Sequence, residues 1–333
     1  MDKYQPPFKI TNEILTLVSE ITELISNISY SNHLNIFPKL RRLNRMKSVH
    51  STCAIEQNKI PLKEAIKIIE GKKTNVGTEK EKKEIEHAYK AYEMIDKIDP
   101  NKLEDLLKIH KVMIDDLAPE SGKLRSRHVY VMDGNVPIHI GPNPKMVPSL
   151  MTQLFEWIKT ADVHPLIKST VFHYEFEFIH PFNDGNGRMG RYWQTLILSK
   201  WKNVFKWIPV ESIIYKHQSE YYDAIKQSDQ IGDSTIFITF ILKVIKETVL
   251  EVINDSNFEF KNLPYPVMRL LNVLQNDSLS AVEIMAKLNI KSRDTLRNTY
   301  INPALKLKVI EQTEQNSKFS KNQRYRKVIK KKL

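Results

Sequence analysis

Cysteine is almost absent: Cys53 is the single thiol in 333 residues. That excludes an internal disulfide framework and a cysteine-cluster zinc site. Glycine is scarce as well, with nine in the whole chain. Two of them within three residues, Gly185 and Gly187 with one residue between, therefore mark a stretch with special backbone needs. No apolar run reaches the roughly 18–20 residues that span a bilayer. Met1-Asp2-Lys3-Tyr4-Gln5-Pro6-Pro7 lacks the basic and apolar regions of a signal peptide. These absences give the expectation of a cytoplasmic chain with no membrane partner. No internal repeat of fixed period is present. Acid is scarce at one end: from Lys261 to Leu333, 16 Lys and Arg stand against 5 Asp and Glu, so most of the net +12 resides there. A basic module of this kind points to an acidic partner, nucleic acid first. The length suits two or three modules, and a 41% hydrophobic content is enough for a real core.

What is present is concentrated in His180-Pro181-Phe182-Asn183-Asp184-Gly185-Asn186-Gly187-Arg188-Met189-Gly190-Arg191. An apolar, aromatic segment precedes it and a helical pattern with a buried face follows. Gly185 and Gly187 let consecutive backbone N–H groups turn inward at the start of that helix, which makes an anion site. Arg188 and Arg191, three apart, offer guanidinium forks suited to phosphate oxygens. Asp184 is a carboxylate of the kind that holds Mg²⁺ together with substrate phosphates. His180 can accept a proton from a hydroxyl near neutral pH. The assembly fits group transfer from a nucleoside triphosphate.

The string resembles the signature of the Fic family, HPFx(D/E)GN(G/K)RxxR, at every fixed position. The resemblance implies a mainly α fold, a Fic-type helical bundle with one β-hairpin flap. It implies transfer of AMP from Mg²⁺-ATP to a hydroxyl of a target protein, with release of pyrophosphate. His180 would be the general base and Asp184 would hold Mg²⁺. The Gly185–Gly187 backbone and Asn186 would form the anion hole, with Arg188 and Arg191 on the β and γ phosphates. Gly187, where a kinase-like branch has Lys, favours AMP transfer.

Upstream, Ser48 to Asn58 resembles the family's inhibitory helix, (S/T)xxxE(G/N), with Thr52 and Glu56 on the fixed positions. Glu56 would then pair with Arg191 and keep it from the γ phosphate. Gln57 departs from the usual Gly or Asn. The stretch before it, Asn35 to Lys47, reads as an amphipathic helix with a solvated basic face.

His128 to Met132 and Val136 to Ile140 flank Asp133-Gly134-Asn135 and read as a hairpin. It resembles the family's flap, along which an extended segment of the target protein would pair. Ser219 to Ile225 resembles the helix whose tyrosines, Tyr221 and Tyr222, approach the nucleoside. Asp229 stands where many members carry Asn. His173 reads as a packing residue with a satisfied ring.

Beyond a linker read at Asn254 to Tyr265, Ser280 with Glu283 forms a capping box for a short helix. Ser292 caps a second helix running to about Tyr300, and Leu305–Thr313 and Arg324–Ile329 read as strands. The pattern resembles a winged helix-turn-helix, with Lys287, Lys291, Arg293 and Arg297 toward a phosphate backbone. The expected organisation is an N-terminal helical region 1–110 with an inhibitory helix at about 48–58, a catalytic core 111–250 with its flap at about 128–140, and a basic domain 262–333. Two other functions stay open at this stage: removal of AMP from a modified target by way of Glu56, and a DNA-binding regulator whose catalytic-type domain senses a nucleotide. The target, its modified residue and any homo-oligomer are not readable.

Overall fold

A computed structural model describes residues 4–31, 38–133, 136–261, 263–274, 277–314 and 323–328. The Gly134-Asn135 turn and most of the basic tail from 321 onward lie outside the described residues. The chain forms two compact units, one of residues 1–23 and 44–249 and the other of 24–43 and 250–333. Among the described residues no helix is long and apolar enough to cross a membrane.

The helices follow the apolar spacing of the sequence. α1 (Asn12–Ser31) is capped by Thr11, whose Oγ1 accepts from Ile14 N–H at 3.2 Å, and it buries Ile14, Leu17, Val18 and Ile21. α2 (Pro38–Ile55) joins the basic stretch and the Thr52 segment into one helix. The expected solvated basic face does not hold at Arg45. Its guanidinium is buried over the Trp207 ring at 4.8 Å and donates to the carbonyl of Tyr92. α2 also ends before Glu56, which lies in the following turn rather than in an inhibitory helix reaching 58. α3 (Leu62–Ile69), α4 (Glu79–Glu93) and α5 (Leu103–Ile114) follow, α4 opening on a full Thr78–Glu81 capping box.

The centre of this unit is a pair of helices, α6 aside. After the hairpin β1 (Tyr130–Asp133) and β2 (Val136–Ile140) comes α6 (Val147–Thr160), then α7 (Pro165–Ile179) and α8 (Asn186–Trp201). α7 buries residues on every side, from Leu166 to Ile179, and so does α8. A helix apolar all round belongs in the middle of a fold. Proline at the first turn and His164 Nδ1 accepting from Leu166 N–H start α7. The His180–Gly185 loop is therefore suspended between two elements that cannot shift without breaking the core. α9 (Val210–Lys216), α10 (Gln218–Ile231) and α11 (Thr235–Lys261) complete the helices begun in this unit. The expected linker at Asn254 is helical as far as Lys261, since neither glycine nor proline interrupts the chain before Pro264.

The hairpin pairs Tyr130 with Ile140 and Val131 with His139, then Met132 with Pro137, so one extra residue of β2 bulges at the proline.

The second unit contains α12 (Tyr265–Leu274), β3 (Leu279–Ser280), α13 (Ala281–Leu288), α14 (Arg293–Thr295), a π-helical stretch Leu296–Ile301, α15 (Asn302–Lys306), β4 (Ile310–Gln312) and β5 (Arg324–Lys327). Its three strands are ordered β3-β5-β4, all antiparallel. The capping box between Ser280 and Glu283 is complete, and Ser292 Oγ accepts from Thr295 N–H. The helix expected to end near Tyr300 runs on to Lys306 through the π turn, burying Leu296, Tyr300, Ile301 and Ala304.

Candidate active site

A cavity of about 280 Å³ opens over the motif loop. Glu56, Tyr130, Glu177, His180, Asp184, Gly187, Arg191, Tyr221, Tyr222 and Asp229 are among the residues that line it. Its floor is the start of α8, where unpaired backbone N–H groups and the helix dipole favour an anion.

His180 closes α7 in the left-handed conformation, φ 49 and ψ 61. That is costly for a residue with a side chain, and buried Arg125 holds it there. The guanidinium donates to the carbonyls of His180 at 2.7 Å, Pro142 at 2.7 Å, Arg127 at 2.9 Å and Ile179 at 3.2 Å. One side chain thus ties the end of the motif helix to both ends of the hairpin. The His180 Nδ1 lies 3.2 Å from the carbonyl of Glu177. A carbonyl only accepts, so Nδ1 carries the proton and the ring's lone pair sits on Nε2.

The loop is braced from within and from behind. Asn186 accepts from Phe182 N–H and donates to Phe182 C=O, both at 2.9 Å. Its side chain is committed to the loop, which leaves the backbone N–H, not the amide, for an anion. Behind it, His110 stacks on Phe182 with ring centroids 3.6 Å apart. His110 Nδ1 accepts from Gly122 N–H at 2.8 Å, so Nε2 bears the hydrogen and donates to the Asp184 carbonyl at 2.9 Å. Burial holds this imidazole down at about 4. Gly185 has φ +85, and a Cβ there would strike Ile114 at 2.5 Å.

The two arginines part company. Arg191 is 2% exposed and lines the cavity. Its Nε donates to Thr52 Oγ1 at 3.0 Å, and one terminal nitrogen reaches Thr52 O at 3.1 Å and Glu56 Oε1 at 2.6 Å. Burial lowers this guanidinium, but the Glu56 carboxylate together with Tyr221 and Tyr222 outweighs it and leaves Arg191 above its ordinary range. Arg188 is equally buried, is not among the cavity residues, and donates to Asp184 Oδ1 at 3.1 Å. Its position one turn after Asp184 makes that bond easy, and it commits one nitrogen of the fork to Asp184. Of the two arginines expected on phosphates, only Arg191 stands at the cavity.

The Glu56 carboxylate lies over Gly187: a Cβ on that glycine would come within 2.3 Å of Glu56 Oε1. The turn that presents Glu56 has Gln57 at φ 68, with Asn58 N–H bonded to Cys53 O and Gln57 N–H to Ala54 O. These are the paired bonds of a Schellman ending, whose left-handed residue is usually Gly or Asn. Gln218 Nε2 donates to Ile55 O at 2.9 Å and fixes the end of α2. Cys53 is buried, which pushes its thiol up to about 12 and leaves it inert.

On the far wall Tyr221 is buried and within 3.1 Å of His173 Nε2, while Tyr222 is 41% exposed. His173 also bonds Gln194, and burial holds it down at about 3, as suits a packed ring. Asp229 accepts from Tyr174 OH at 2.8 Å. Neighbouring Glu175, bonded by the Tyr4 hydroxyl, is pushed up to about 7 by burial. Among the described residues no cluster of three or more His, Cys, Asp or Glu forms a ready-made metal cage. Asp184, at the cavity edge and with its side chain 42% exposed, offers a carboxylate of the sort Mg²⁺ shares with bound phosphates.

His110, Arg125 and the cavity residues Glu177 and Lys226 carried no readable signal. The first two act on main-chain carbonyls whose identity depends on the fold.

Residues 97–198 match the model of the Fic/DOC family, and residues 265–327 match that of the Filamentation induced by cAMP protein Fic-like C-terminal domain. A solved Fic family protein from Desulfovibrio desulfuricans G20 is 38% identical, covers 99% of this chain and 100% of its own, and superposes with a TM-score of 0.75. Fic-1 of C. elegans shares the fold over 72% of this chain and 71% of its own, at 21% identity and a TM-score of 0.58. A protein adenylyltransferase Fic of Nematostella vectensis is 29% identical over 47% of this chain and 35% of its own length. One of Culex quinquefasciatus is 31% identical over 47% and 30%. The chain thus spans about a third of the length of these two relatives.

Proposed function

Because the chain belongs to the Fic family, we propose that it is a protein adenylyltransferase that moves AMP from ATP to a hydroxyl of a target protein. The observation that carries the reading is the juxtaposition of His180, the start of α8 and Arg191 around one cavity. His180 Nε2 takes the proton of the target hydroxyl. The hydroxyl oxygen bonds to the α phosphorus as the bond to the β-phosphate oxygen breaks, and pyrophosphate leaves. The N–H groups about Gly187 and the α8 dipole hold the developing charge. Mg²⁺ at Asp184 would neutralise the phosphates, and the residue there suits it. The flap offers a strand edge on which the target backbone registers.

The same site supports a resting, inhibited state. Glu56 puts a carboxylate where the anion belongs and takes a donor of Arg191. Tyr221 and Tyr222 flank the space left for the nucleoside.

ATP labelled at the α phosphate tests the reading against candidate targets in lysate. Label is expected on protein with Glu56→Gly and not with Glu56→Gly/His180→Ala. Label carried only by γ-labelled ATP, or equal labelling by both variants, sinks it.

A further inference from the structure

We propose that the second unit binds duplex DNA through the face carrying Lys287, Lys291, Arg293 and Arg297. The inference does not rest on adenylyl transfer.

Two helical segments, α13 and the run from Arg293 to Lys306, meet at a tight turn in which Asn289 is left-handed. Their inner faces are locked: Ile284 and Leu288 on one, Leu296, Tyr300, Ile301 and Ala304 on the other are all buried. The outer faces hold the four cations, all exposed. Three other cations of this unit, Arg269, Arg324 and Arg326, are engaged within it. Arg269 bonds Leu288 O and Tyr300 OH, Arg324 pairs with Glu283, and Arg326 pairs with Glu311. Lys287, Lys291, Arg293 and Arg297 have no carboxylate within 4 Å among the described residues. Only Asp294 interrupts them between 287 and 297. Four unspent cations on a rigid, solvent-facing surface call for a polyanion.

Shape selects the kind. Arg293 and Arg297 are one turn apart, about 6 Å along the axis, close to two nucleotide rises of about 3.4 Å each on one strand. A helix about 10–12 Å across enters the B-form major groove, about 12 Å wide. The A-form major groove of duplex RNA is too narrow. Exposed Thr295 and Thr299 lie beside the arginines, with hydroxyls able to reach base edges.

The test is fluorescence anisotropy of the full-length protein with a fluorescein-labelled mixed-sequence DNA duplex across a salt series. Four phosphate contacts give a slope of about −3.6 in log K against log salt, so affinity falls about 10²-fold between about 50 and 200 mM. The fourfold variant Lys287→Gln/Lys291→Gln/Arg293→Gln/Arg297→Gln is expected to lose most of that slope. A control neutralising exposed Lys73, Lys80, Lys97 and Lys159 is expected to keep it. Duplex binding retained by the fourfold variant overturns the proposal, as does equal loss in the control. So does polyglutamate competing as well as duplex at equal charge, which assigns the face to an acidic protein, or duplex RNA binding as tightly as DNA.

Discussion

The Glu56 carboxylate and the Arg191 guanidinium meet at 2.6 Å, with the carboxylate standing over the α-carbon of Gly187. A charge-assisted bond of this length is worth about 1.5–3 kcal/mol, or about 10- to 100-fold in an equilibrium. Glu56→Gly is therefore expected to raise ATP affinity and AMP transfer by about that factor, read by isothermal titration and by label transfer. Glu56→Gln keeps the shape but not the charge, and should fall between. An unchanged ATP affinity in both variants would remove Glu56 from the site's control.

Arg125 donates to four carbonyls from a buried position. Lysine cannot reproduce that fork. Arg125→Lys is expected to destabilise the protein by about 3 kcal/mol, since bonds from a charged donor are worth about 1.5–3 kcal/mol each and some would survive. In the Glu56→Gly background it should lower kcat more than it raises the KM for ATP, because it loosens His180 rather than the phosphate cradle. Equal effects on both constants would assign Arg125 to the fold alone.

Two buried histidines make the fold sensitive to acid. His110 is held at about 4 and His173 at about 3 against an ordinary 6.5. Their folded-state values are depressed, so the unfolded chain takes up protons first as pH falls. Stability is full above 6.5 and is lost on the way down to about 4 and then 3. Glu175, raised to about 7, acts in the opposite sense: its burial costs stability as pH rises from the ordinary carboxyl value toward 7. His110→Gln should remove about one proton from the slope of unfolding free energy against pH between about 6.5 and 4. Urea melts at several pH values measure that slope, and an unaltered slope would count against the assignment.

Gln57 occupies a left-handed position at φ 68. Glycine adopts this conformation without the strain of about 1–2 kcal/mol. Gln57→Gly is expected to raise the melting temperature by a few degrees and to leave Glu56 in place, so AMP transfer should remain low. A rise in transfer would mean that the glutamine side chain itself helps to hold the turn.

The motif loop and its flanking helices were legible because glycine placement and apolar spacing are local signals. The pairing of Glu56 with Arg191, though the residues are far apart in the chain, was legible through its resemblance to a family pattern. Other features were hidden for a physical reason. Arg45 looked like a surface cation because sequence spacing alone does not show the Trp207 ring that covers it. Arg188 and Arg191 look alike in a string, yet Asp184, one turn back, claims the first. His110 and Arg125 grip carbonyls, which every residue carries, so no pattern of side chains announces them. α2 ended short of Glu56 because its capping turn begins there, and helix ends are the least local part of a helix signal.

Asn186 and Gly187 form the dipeptide most prone to spontaneous deamidation, in which the glycine nitrogen attacks the asparagine carboxamide. In the folded protein both ends of that carboxamide are tied to Phe182 and the glycine nitrogen belongs to the first turn of α8. The attack geometry is out of reach until the loop opens. Ageing at this bond thus becomes a clock for the site: the rate at which Asn186 turns to aspartate or isoaspartate, followed by peptide mass spectrometry, reports how often the motif loop comes undone.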